Sequence, residues 1–156
     1  MGGSNKFLVL VLTLLLCPAI SRGADHNYVT WDRIEPDNCI AAWLIKSYVD
    51  TNAVFCFVPK GTAITNGIAF DVPGAKYARD QRRSTSEAVI EIHQIKNAKA
   101  IALGVLARKL ELGLWHATFS AKEEPLAHQL QELQKSSSKS EILLEAAFRL
   151  LDVWTP

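Results

Sequence analysis

The stretch YVTWDRIEPDNCIAAWLIKSYVDTNAVFCFV, residues 28–58, decides the fold class. Tyr28-Val-Thr-Trp31 is β-branched and aromatic and reads as a short strand. Pro36-Asp37 follows, with Asp37 placed as the N-cap of a helix over roughly 38–49. Ile40, Trp43, Leu44 and Tyr48 recur at helical spacing and predict its buried face. Val54-Phe-Cys-Phe-Val58 is a continuous apolar run closed by Pro59, the pattern of a strand buried on both sides. Strand, helix, strand makes a β-α-β unit, whose two strands lie parallel in one sheet.

Working towards the C-terminus, Lys60-Gly61 and Asn66-Gly67 are turn signals, and Ile68-Ala-Phe70 reads as a third strand closed by Asp71 and Pro73. A polar loop then runs from Gly74 to Arg83. Ser84-Thr-Ser-Glu87 is a capping box, opening a helix to about Lys96 with Val89, Ile92 and His93 on one side. Residues 98–112 are rich in Ala and Leu and apolar on most faces, which predicts a central core helix capped by Gly113. Pro125 suits the first turn of a further helix with Leu126, Leu130 and Leu133 as its stripe. After the hinge 136–140, Ser138-x-x-Glu141 predicts a last helix that buries Ile142, Ala146, Leu150 and Trp154. The expected class is α+β: a small three-stranded sheet built from the N-terminal β-α-β unit, packed against a C-terminal group of about four helices.

Working towards the N-terminus, residues 1–23 read as a cleavable secretory signal. Lys6 supplies the positive start, and Phe7 to Ile20 is apolar apart from Thr13 and Pro18. Ser21-Arg22-Gly23 offers small residues for a cut before Ala24. The apolar run has 14 residues, against about 20 for a helix that crosses a bilayer core. A lipoprotein reading of Cys17 is disfavoured by Leu16, where a small residue is needed. The expected mature chain, 24–156, is one domain, exported to the periplasm of a bacterial cell envelope and free of the membrane once the signal is gone. Removing Lys6 and Arg22 leaves fifteen basic against sixteen acidic residues, a net charge of −1 with neutral histidines. That balance does not point to nucleic acid or an anionic membrane as partner. An oxidising compartment permits a disulfide between Cys39 and Cys56; two separate buried thiols are the other reading.

Three ordered motifs carry a family resemblance: Asp37 to Asp50 with its Trp43-Leu-Ile45 core, Phe55-Cys-Phe-Val-Pro59, and Gly67-Ile-Ala-Phe-Asp71-Val-Pro73. With the Ser84-Thr85 helix start behind them, they resemble the chromate-resistance exported proteins, the C-terminal ChrB domain. The resemblance implies a role in resistance to chromate, by binding or sensing the oxyanion or lowering its accumulation. It also implies that Asp37, Asp71 and Glu111 stand where the family has acids. The chain departs from the family at Asn38, Ser47 and Arg79, where basic residues or a histidine are usual.

The residues themselves suggest where an oxyanion would sit. Arg79, Arg82 and Arg83 immediately precede the positive end of a helix, where cations are misplaced by roughly 0.3–1 kcal/mol each unless an anion joins them. Their guanidinium forks, the Ser84 and Thr85 hydroxyls and free N–H groups suit a tetrahedral dianion of chromate or sulfate type, and Lys46 is a further candidate. A solvated loop with arginines paired to Asp80 or Glu87 is the alternative. Asp37, Asp71 and Glu111 are also the candidates for a small metal-dependent enzyme, or else a helix cap, a turn residue and a surface acid. A third reading is a partner-binding module with a degenerate site. His26, His93, His116 and His128 have no ligand spacing, and there is no nucleophile elbow, dinucleotide loop, P-loop or Cys-x-x-Cys. The expectation is a binding protein without catalysis and without a cofactor.

Overall fold

The computed structural model describes residues 24–111, 118–136 and 139–156. A short 3₁₀ turn, Ala24–His26, leads into β1 (Asn27–Trp31). Then come α1 (Pro36–Leu44), β2 (Val54–Val58), β3 (Ile68–Ala69), α2 (Thr85–Ile92), α3 (Ala98–Glu111), α4 (Glu123–Lys135) and α5 (Ser140–Val153). The expected α+β class holds, with four helices following a three-stranded sheet. Strand order is β2-β1-β3 and both pairings are parallel, Tyr28 lying opposite Phe55 on one side and Ile68 on the other. β1 is central, and its Tyr28, Val29 and Thr30 are all buried, as a strand covered on both faces requires. The third strand is two residues long, because Phe70 pairs onward to Tyr77 in a single bridge and Asp71 turns the chain at φ +51°.

The central helix is α1, not the predicted 98–112. All nine residues Pro36–Leu44 are buried, and α1 packs on α2, α3 and α5. Ala41 and Ala42 allow that close approach, while Ile40, Leu44 and Ile45 fill the space between, worth about 1.5–3 kcal/mol each on full burial. α3 leaves Ile101 and Val105 about half exposed, so its all-round apolar sequence covers one face only. α1 begins one residue before the predicted cap. Glu35 is the N-cap and shares a capping box with Asn38, which puts Asp37 inside the first turn. The helix then widens to a π turn over Ile45–Val49, closed by Asp50 N–H donating to the Ile45 carbonyl at 2.8 Å.

Three further expectations need correction. α2 stops at Ile92, since His93 leaves helical geometry as the C-cap and Gln94 takes φ +52°. α5 buries Leu143, Leu144, Ala147 and Leu151, while Ile142 is 59% exposed. Eight apolar residues from Ile142 to Leu151 allow two adjacent stripes, and tertiary packing chose the second. Cys39 is a free thiol buried within the helical core cluster, of which Cys56 is not a member, so the Cys39–Cys56 disulfide is not formed. Burial pushes the Cys39 thiol well above its ordinary range. The predicted cap Gly113 and box residue Ser138 lie outside the described residues.

Candidate functional site

A parallel sheet delivers all its strand ends to one edge, and here they end together at Trp31, Val58 and Ala69. From β1 the chain crosses through α1 to β2 on one side, then returns to β3 on the other. Such a reversal about a central strand leaves a crevice at the carboxyl ends, the general place for ligands in open α/β sheets. A cavity of about 540 Å³ lies there, lined among others by Trp31, Arg33, Glu35, Lys60, Asp71 and Arg79.

Asp71 is its organising residue. Phe70 N–H donates to the Val29 carbonyl at 3.0 Å, so the next residue stands directly beyond the sheet edge. There the Asp71 carboxylate accepts from the Asn38 amide on α1 and from the Thr85 hydroxyl on α2. It therefore joins the N-terminal turns of two helices, where a negative charge is favoured. Asn38 also serves the cap of α1, accepting from Glu35 N–H at 2.8 Å. Even so, the Asp71 carboxyl is held above its usual range, because burial outweighs the Thr85, Arg79 and Asn38 contacts.

Asp37 directly precedes Asn38 in the first turn of α1 and is 5% exposed. Burial first, then the charges of Asp71, Glu35 and Glu111, push its carboxyl up to about 7. Ser86 on α2 donates to the Asp37 carbonyl at 3.4 Å, tying the two helix starts together. Arg79 reaches across to Glu111 on α3 at 3.1 Å and faces Asp71, which together hold its guanidinium firmly charged. The three acids Asp37, Asp71 and Glu111 thus share one electrostatic neighbourhood. Among the described residues, however, no group of three or more His, Cys, Asp or Glu is placed to hold a metal ion.

The arginines before α2 do not converge. Arg79 lines the cavity. Arg83 pairs with Asp80 at 3.1 Å and with Glu91 at 2.7 Å on the outer side of α2. Arg82 is exposed, its backbone N–H donating to the Asp80 carboxylate at 2.8 Å and its carbonyl accepting from Arg108. The start of α2 already holds an internal anion. Ser84 Oγ accepts from Glu87 N–H, while the Glu87 carboxylate accepts from Ser84 N–H at 2.8 Å and is gripped by Arg108 at 2.7 Å. Ser84 is 2% exposed, so its hydroxyl is a structural cap, and the Thr85 hydroxyl is engaged by Asp71. Lys46 stands at the opposite edge of the sheet, its ammonium donating to the Ala53 carbonyl just before β2 at 2.8 Å. Five strand residues at about 3.3 Å each separate that edge from the cavity.

Sequence reasoning passed over Arg33, Glu35 and Lys60. The signal for them was topological: Arg33 and Lys60 lie just past the ends of two strands that the β-α-β reading had already placed parallel, and Glu35 caps the helix that joins them. Arg33 also takes φ +70°, an uncommon conformation for its residue type that the Asp32 carboxylate supports by accepting Arg33 N–H at 2.8 Å.

A family model described as "ChrB, C-terminal domain" matches residues 28–155. No curated protein and no solved structure matches the chain.

Proposed function

The chain belongs to the ChrB C-terminal domain family, the chromate-resistance family, and from that premise we propose that it is an exported envelope protein that binds a small oxyanion without transforming it. The site we propose is the cavity at the carboxyl ends of the strands. The observation that carries this reading is that Arg33, Lys60 and Arg79, from three separate loops, line one cavity of about 540 Å³. Asp32, Glu35 and Asp71 share the lining, three acids beside the three cations, so an anion is received among mixed charges rather than by a bare cationic patch. Asp71 eases that conflict: its carboxylate oxygens are already engaged by the Asn38 amide and the Thr85 hydroxyl, and Arg79 faces it.

Titration calorimetry with sulfate and chromate tests the site. Loss of one charge-assisted hydrogen bond costs about 1.5–3 kcal/mol, so Arg79→Gln weakens binding roughly ten- to hundredfold. The double change Arg82→Ala/Arg83→Ala leaves it unaltered, because neither side chain lines the cavity. Binding by Arg79→Gln at the parent affinity, with its circular dichroism unchanged, removes the cavity from the argument. The export half of the reading rests on the apolar run 7–20 and Ser21-Arg22-Gly23; intact mass of protein recovered from the envelope then begins at Ala24.

A further inference from the structure

The charged cavity does not end at its charged wall. A second cavity of about 330 Å³ adjoins it, and Trp31, Val72 and Pro73 line both. Ile64, Ala69 and Ala75 form part of its other wall, and none of its lining residues is charged. The Trp31 indole N–H donates to the Thr62 carbonyl at 3.1 Å, which fixes the ring where the two spaces meet. Two turns of this second wall, at Gly61 and Gly74, have φ of +87° and +81°. A β-carbon at either would meet nothing within 4 Å. Backbone conformation thus reserves both positions for glycine, and no side chain projects from them across the trough.

Size points the same way. A tetrahedral oxyanion takes roughly the room of three waters, on the order of 100 Å³ at ~30 Å³ each. The charged cavity alone exceeds that severalfold, and clefts of this size are built for ligands with an organic body. We propose that the ligand of this site is an organic oxyanion, its phosphate, sulfonate or carboxylate head among Arg33, Lys60 and Arg79 and its small apolar or aromatic body along Trp31 in the uncharged trough. This rests on the anion site proposed above and names the class of molecule that fills it. A bare inorganic oxyanion occupies only the charged end.

Calorimetry on the mature chain with phenyl phosphate, inorganic phosphate and phenol tests it. Phenyl phosphate binds at least about tenfold more tightly than inorganic phosphate, the gain from shielding part of one ring from water. Phenol alone gives no measurable heat. Ile64→Ser, which alters the trough and no charge, lowers the phenyl phosphate advantage severalfold and leaves inorganic phosphate unchanged. Equal affinity of the parent for the two phosphates overturns the organic body while keeping an inorganic anion site. Binding of neither phosphate overturns the anion reading itself. Should Ile64→Ser fail to fold, the ratio measured on the parent decides alone.

Discussion

Replacing Asp37 by asparagine should make the protein more stable at pH 8, although it removes an acid from the first turn of a helix. Two effects oppose each other at this position. An acid near a helix N-terminus contributes about 0.3–1 kcal/mol through the dipole. Against it stands the cost of holding a charge at a site that is 5% exposed, beside Asp71, Glu35 and Glu111. The carboxyl rises from 3.8 to about 7 on folding, and each tenfold change in proton affinity is 1.36 kcal/mol, so the cost is at most ~4 kcal/mol. Local relaxation and water entry reduce it to about 2–3 kcal/mol, still larger than the dipole gain. The native state binds more protons than the unfolded chain between the two values. The contribution that favours folding is therefore complete below about 3.8, declines from there, and is gone above about 7. Urea unfolding of parent and Asp37→Asn at pH 5 and pH 8 measures this. The variant exceeds the parent by about 1–2 kcal/mol at pH 8, and its lead shrinks or reverses at pH 5. Working with that difference cancels His93, which burial and Lys76 shift downward and whose pH dependence runs the other way. A variant less stable than the parent at pH 8 by as much as at pH 5 would refute the claim that burial, and not the helix dipole, governs Asp37.

Two further substitutions test the frame around the site. Ser84→Ala removes the cap of α2 and costs about 1 kcal/mol in urea unfolding, while sulfate affinity stays within twofold of the parent because Ser84 belongs to the helix and not to the cavity. Gly67→Ala costs about 2 kcal/mol or more: φ is +96°, and the new β-carbon would stand 2.6 Å from the Asn27 carbonyl oxygen, so β3 is pushed off β1 and the thermal midpoint drops by several degrees.

The β-α-β unit, the parallel pairing and the four later helices were legible in residues 28–153, because strand and helix periods are local properties of the chain. Ser84-Thr-Ser-Glu87 gave its capping box without ambiguity, since all its partners lie within one turn. Asp71 and Glu111 could be nominated by resemblance, but not their surroundings. That Asn38 and Thr85 both donate to Asp71 joins residues 33 and 14 positions apart. The arginine triplet misled for the same reason: adjacency in sequence placed Arg79, Arg82 and Arg83 together, and the acids that separate them come from Asp80, Glu91 and Glu111.

What residues 24–156 settled alone is the kind of layers that form, because apolar spacing dictates which backbone hydrogen-bond pattern buries a continuous face. Which helix occupies the centre, which stripe of α5 is covered, and which three cations line one cavity were decided only on assembly. Those depend on volumes and charges from segments far apart in the chain, and a side chain's surroundings exist only once those segments have met.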